Sequence, residues 1–282
     1  MQIMVNKLIL HVPHAGTHIP DRTGYVISNE ALEKEMLLLN DWYTDDLFGF
    51  TDGIPVVADF SRVFCDVERF ANDEKEIMSA TGMGSVYTKC DDGSDLRTVS
   101  TELKSEILNK YYYPHHEKLH AAVSEQLLLN NSALIVDCHS FSNKPFKRDM
   151  EQSTPRHDIC IGFDGYHTPE GLYKFTKSFF EHHGFTVKLN CPYSGSIVPI
   201  AYYEKDNRVS SIMIEINRDL YLVPTTKQKS KNYNRIKSII KNFLYKVSEL
   251  DYNYNFKLLN GVFDYRELTG WSTGFDFGKD FI

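Results

Sequence analysis

LIVDCHSFS (residues 134–142) and HVPHAGTHIP (residues 11–20) decide the fold. In each, an apolar run of strand length leads to a histidine, His139 in the first and His14 in the second. In open α/β sheets, groups at the carboxyl ends of strands converge on the ligand crevice, so two histidines placed alike are expected to meet there. A lone strand-end histidine is more often structural, but a matched pair points toward a metal site.

Outward from these two segments, further β-rich runs occur at 54–59 (IPVVAD), 62–66 (RVFCD), 158–163 (DICIGF), 185–189 (FTVKL) and 210–216 (SSIMIEI), with 7–12 and 133–138 covering the first pair. Each is short and bounded by turn-forming residues, as buried strands are. Helical patterns alternate with them. Residues 29–49 carry apolar side chains at helical spacing behind Asn29, with early acids that suit the helix dipole. Residues 98–129 read as one long helix or two joined near Pro114. Residues 168–183 begin with Thr168 as cap and Pro169 in the first turn, and 224–248 place Ile236, Ile239, Ile240, Phe243, Leu244 and Val247 on one face. Strands alternating with helices predict an α/β fold with a layered sheet. Residues 67–97 have no period and read as a long functional loop. No linker divides the 282 residues, so a single catalytic domain is expected, with 251–282 a closing strand pair or a partner-binding appendage.

Composition narrows the function. Charged residues are 24% of the chain and the net charge is −7 with scattered Lys and Arg, which argues against nucleic acid and anionic membranes as partners. No apolar stretch reaches membrane-spanning length and the N-terminus lacks a signal-peptide core, so a cytoplasmic protein is expected. Five widely spaced cysteines fit reduced thiols, and Cys65 and Cys138 read as small buried hydrophobes.

A catalytic zinc needs three protein ligands and an open position. A carboxylate should therefore join the histidine pair, and DWYTDDL offers Asp41 and Asp45 on one helical face, though an acidic solvated face is the commoner meaning of such a cluster. His11, inside its strand, is expected to face away, and His18 would need the loop to fold back. Attack on an amide also needs a proton shuttle. Glu215 interrupts an apolar strand, where an unpaired charge is costly, so it calls for a task or a partner; a buried pair with Arg218 is the plain alternative. Arg62, Arg69 and Arg218 offer planar forks for a small anionic substrate, and Ser194, Gly195 and Ser196 a Gly-permitted turn with backbone donors. There is no G-x-S-x-G elbow, Walker loop, G-x-G-x-x-G or H-E-x-x-H helix.

VPHAGTHIP, DWYTDDLF, SRVFCDVERF, YYPHHEKL, VDCHSFS, NCPYSGSI and IMIEINRDLYL, in this order over roughly residues 8–222, together resemble the N-formylglutamate amidohydrolase family, itself related to the zinc carboxypeptidases. The resemblance implies a single α/β domain with a mixed central sheet flanked by helices and one zinc ion at the strand ends. It implies His14, Asp41 and His139 as metal ligands, with Asp45 as the competitor to Asp41, and Glu215 as the catalytic carboxylate. His116 matches a histidine that supports the site or touches substrate. The family usually reads S-R-x-x-x-D-x-N-R, and Glu68 stands here in place of the asparagine. A carboxylate beside Arg69 repels an acidic substrate unless it points away or pairs with that arginine. The expected activity is zinc-dependent cleavage of an N-formyl or N-acyl amino acid, N-formyl-L-glutamate first. Alternatives are a deacylase acting on other acylated amino acids or small peptides, and a non-catalytic binding protein on the same fold.

Overall fold

The computed structural model describes residues 7–250. Its centre is one six-stranded sheet built from β1 (Ile9–Val12), β2 (Ile54–Val57), β3 (Ala133–Phe141), β4 (Ile159–Gly162), β5 (Val187–Leu189) and β6 (Val209–Asn217), in the order β2-β1-β3-β6-β4-β5. β2, β1, β3 and β6 run parallel, and β6 pairs antiparallel with β4, so the sheet is mixed. The two nine-residue strands β3 and β6 are buried along their whole length, as expected for central strands covered on both faces.

Strand alternation gives the sheet two different faces. Leu10, Val12, Leu134, Val136, Cys138, Ile212, Ile214 and Ile216 point to one side, where they pack on α5 (Glu170–His182) and α6 (Tyr233–Ser248). Ile9, Ile135 and Val209 point to the other and meet Leu119, Ala122 and Val123 of α4 (Tyr113–Asn130). On that second face the apolar residues give way, toward the carboxyl ends of the strands, to His11, Asp137, His139 and Glu215. The register sets His11 beside Asp137 and His139 beside Glu215.

Several sequence-based boundaries move. The helix expected over 29–49 stops after α1 (Asn29–Leu39): Asn40 turns extended, Tyr43 takes a positive φ of 65°, and only the short α2 (Thr44–Leu47) follows. Residues 62–66 form turns rather than a strand, yet Val63, Phe64 and Cys65 are fully buried. The 98–129 stretch is α3 (Thr101–Ile107) joined to α4 through a π-helical turn at Leu108–Tyr112, just before Pro114. Thr168 does not cap α5, because its hydroxyl donates to Ser211 O. The last helix begins at Tyr233, after a 3-10 turn and loops. Residues 67–97 are loop apart from a 3-10 turn at Ile77–Thr81. The reading of 251–282 falls outside the described residues.

The α5–α6 side of the sheet depends on an aromatic cluster. Phe243 is fully buried, with ring centroids 5.5 Å from Phe179 and 5.1 Å from Phe180. Phe243→Ala should lower unfolding free energy by ~3–5 kcal/mol through lost contacts and the cavity left behind. Urea denaturation followed by circular dichroism measures this, and a loss below ~1 kcal/mol would contradict the packing described.

Candidate metal and hydrolytic site

Asp41 enters the site because α1 ends where it does. Asn40 donates from Nδ2 to Gly16 O at 2.8 Å and accepts from the Ser61 hydroxyl, while Asp41 N donates to His14 O at 3.0 Å. These bonds pull the chain across the end of β1 and bury the Asp41 carboxylate at 1% exposure. Asp45, the competitor, is exposed on α2. His18 is exposed as well.

Three of the expected residues come together. Asp41 Oδ2 lies 3.1 Å from His139 Nδ1 and 3.6 Å from His14 Nδ1. Donors bound at ~2.0–2.1 Å to one tetrahedral zinc stand ~3.3–3.4 Å apart, so these separations match edges of such a site. The far nitrogens are already engaged: His14 Nε2 faces Asp66 Oδ1 at 2.9 Å, and His139 Nε2 faces Asp137 Oδ1 at 3.0 Å. A carboxylate behind each imidazole holds the ring in orientation, the usual support of a metal-binding histidine, and His139 Nδ1 itself bonds to Asp41 Oδ2. His14 Nδ1 is buried without a hydrogen-bond partner. This orphaned atom, with Asp41 and His139 beside it, fits a cation.

A second acidic group approaches the same imidazoles from the cleft. Glu68 sets Oε2 3.1 Å from His139 Nε2 and 3.7 Å from His14 Nε2, with Oε1 3.6 Å from His11 Nδ1. His14, Glu68 and His139 form one group able to hold a metal, and His11, Glu68 and Asp137 another. The Nε2 atoms on this side also have Asp66 and Asp137 as partners, and Asp41 lies on the Nδ1 side of both rings.

Electrostatics mark where positive charge is wanted. Burial alone would raise the Asp41 carboxyl, but the bond from His139, the nearby His14 imidazole and the charge of Arg218 hold it well below the ordinary carboxylate range. Burial disfavours the His139 imidazolium, yet Glu68, Asp137 and Asp41 raise it well above the usual histidine value. Glu215 behaves in the opposite way: burial, aided by Asp41 and Glu68 and opposed by His139, pushes its carboxyl up to about 8. Its Oε2 is buried and unpartnered, and the buried pair with Arg218 does not form.

The arginines divide by function. Arg218 gives its guanidinium to Asp41 Oδ1 at 3.0 Å, the Ser140 hydroxyl and carbonyl, and the carbonyls of Leu38 and Leu39. It does not line the cleft, so its expected substrate-binding role is corrected to support of Asp41. Arg62 is bound to Asp66 Oδ2 at 2.9 Å and to Tyr87. Arg69 stands 3.8 Å from Asp66, its Nε has no hydrogen-bond partner, and its side chain borders the cleft.

The remaining expectations are met in part. Ser194 and Gly195 line the cleft, but Gly195 N already donates to Asn190 Oδ1, which weakens its expected role as a ligand donor; its φ of 81° suits glycine. His116 also lines it, and its Nε2–H donates to Val67 O at 2.8 Å, so it braces the loop that carries Glu68 and Arg69. Burial pushes His116 down to about 4, consistent with a neutral ring. The expectation for His11 is overturned. Its ring lies on the site face, Nδ1 at 2.7 Å from Asp137 Oδ1 and Nε2 at 2.9 Å from His115 Nε2. Asp66 and Asp137 are the supporting residues that the sequence reading left unassigned. Both are carboxylates in apolar surroundings, the signal that singled out Glu215. The cleft over the site has a volume of about 1360 Å³.

Comparison with known proteins bears on the family and the fold. The family model for N-formylglutamate amidohydrolase matches residues 6–222. Among solved structures, the N-formylglutamate amidohydrolase from Ralstonia eutropha JMP134 superimposes with a TM-score of 0.76 at 23% identity, over 87% of this chain and 94% of that one. The gene product Atu2144 from Agrobacterium tumefaciens superimposes with a TM-score of 0.57 at 19% identity, over 86% and 88%. At such identities the likeness is one of fold. No curated protein matches the sequence.

Removing Arg218 leaves the Asp41 carboxylate buried without its cation. Arg218→Ala should destabilise the protein by ~3–5 kcal/mol, read from the urea midpoint of the metal-free form. A change within ~0.5 kcal/mol would mean that the pair does not hold Asp41 in place.

Proposed function

The chain belongs to the N-formylglutamate amidohydrolase family, and on that footing we propose that it is a zinc-dependent hydrolase cleaving the amide bond of an N-formyl or N-acyl amino acid. The observation that carries the reading is the pair of buried imidazoles presenting Nδ1 toward one Asp41 oxygen, with an unpaired Glu215 carboxyl across the β3–β6 ladder from His139. His14, Asp41 and His139 would hold one divalent ion. When bound, zinc supplies Lewis acidity that makes water a nucleophile near neutral pH and polarises the scissile carbonyl.

The chain's own residues account for the remainder. Glu215 takes a proton from the attacking water as the new carbon–oxygen bond forms, then delivers it to the amide nitrogen as the carbon–nitrogen bond breaks. The acid and the free amine leave. A buried carboxyl pushed upward by desolvation holds a proton more readily than an ordinary carboxylate, which suits the delivery step. Arg69, with donors to spare, holds the substrate carboxylate in a planar fork, while Arg62 stays with Asp66. Asp66 and Asp137 keep the imidazoles oriented, and His116 holds the loop that presents Arg69. A substrate of this kind is a small anionic molecule. Among the described residues, no helix is long and apolar enough to cross a membrane.

Two measurements test the reading, with N-formyl-L-glutamate as the first substrate. Chelation of the metal should abolish hydrolysis and zinc should restore it. Glu215→Gln should keep metal content while losing ~10²–10⁴-fold in kcat. Metal loss in step with activity would make Glu215 structural, and activity unaffected by chelation would remove the metal from the account.

A further inference from the structure

The walls of the cleft differ in character from its floor. Phe70, Tyr113, Met150, Ile200 and Tyr203 all line it, yet they are between 41% and 78% exposed, and they come from separate loops and the start of α4. Large exposed apolar side chains gathered round one concavity mark a surface that is covered when the site is in use. The volume of about 1360 Å³ also exceeds the ~300–1,000 Å³ common for sites that enclose drug-sized ligands, and N-formylglutamate is far smaller than those.

The charges of the cleft point the same way. Among the described residues, six carboxylates line it against three guanidiniums and no lysine. Of the three arginines, Arg62 is held by Asp66, and Arg148 by the carbonyls of Thr81 and Asp91. Only Arg69 among them has a buried donor without a partner. One guanidinium without a side-chain hydrogen bond, its Nε 3.8 Å from Asp66, matches one substrate carboxylate, whereas N-formylglutamate carries two. A second carboxylate would enter a cleft in which Glu68, where the family usually has asparagine, already faces the imidazoles. Like charges in so restricted a space are costly.

We propose that the preferred substrates are N-acyl amino acids with a single carboxylate and one large apolar group, either the amino-acid side chain or the acyl chain. Arg69 holds the carboxylate, and the apolar group runs outward under Phe70, Met150 and Ile200. The proposal rests on the hydrolase reading above and adds the substrate class. The reaction is unchanged: water adds to the acyl carbon, the carbon–nitrogen bond breaks, and the amine departs with the proton.

The test compares kcat/KM of the zinc-loaded protein for N-formyl-L-phenylalanine, N-octanoylglycine and N-formyl-L-glutamate. At least one apolar substrate should exceed N-formylglutamate by about tenfold or more, the scale of discrimination that an apolar pocket provides. Which of the two wins tells whether the side chain or the acyl chain occupies the rim. The double variant Phe70→Ser/Ile200→Ser should reduce that ratio several-fold. Calorimetry on Glu215→Gln gives a readout without turnover, and the same order of affinities is expected. N-formylglutamate as the equal or better substrate overturns the proposal and leaves the hydrolase reading standing. Hydrolysis of none of the three overturns both.

Discussion

The site depends on a single buried carboxylate. Asp41 is almost wholly shielded from water, and an ion in that position is tolerable only with opposite charge and hydrogen bonds close by. One oxygen meets Arg218, which joins the end of β6 to the end of α1 through the carbonyls of Leu38 and Leu39. The other faces His14 and His139, which belong to different parts of the sheet edge. Asp41 therefore ties β1, β3, β6 and the α1 terminus to one point, and the metal chemistry and the local fold share that point.

Around this carboxylate the sheet supplies orientation more than reactivity. The register of β1, β3 and β6 stacks His11, Asp137, His139 and Glu215 on one face, where α4 closes over the apolar part of the same surface. Asp137 accepts from both His139 and His11, and its second oxygen accepts from Ile197 N. Beyond His11 lies His115, whose ring burial pushes down to about 2, so the chain of imidazoles ends in a neutral group. The outcome is a pair of histidines held in place by carboxylates and a Glu215 whose Oε2 is left without a partner, an arrangement that costs stability and belongs to function.

Much of this was legible in the sequence. β3 and β6 stand out because continuous apolar runs bounded by turn residues have few other solutions, and His14, His139 and Glu215 stand out because polar groups in such runs need a reason. The place of Asp41 was legible only through family resemblance. Its helical pattern continues across residues 40–43, and the break comes from bonds to Gly16 and Ser61, which local periodicity does not encode. His11 was misread for a similar reason: which way a strand residue faces depends on register with β3, and register is a long-range property. Arg218 and Arg69 looked alike as strand-end or loop arginines. Only the partners in space separate a guanidinium that is fully committed from one that makes no side-chain hydrogen bond.

The same two imidazoles have Asp41 on one side and Glu68 on the other, so the choice of nitrogen is the most direct test of the account. A crystal structure of the zinc-loaded protein, with anomalous data at the zinc edge, measures it. The expected result is one ion bonded to Nδ1 of His14, Nδ1 of His139 and a carboxylate oxygen of Asp41, each at ~2.0–2.2 Å. An ion bonded instead through the Nε2 atoms and Glu68, with Asp41 left on Arg218 alone, would contradict it.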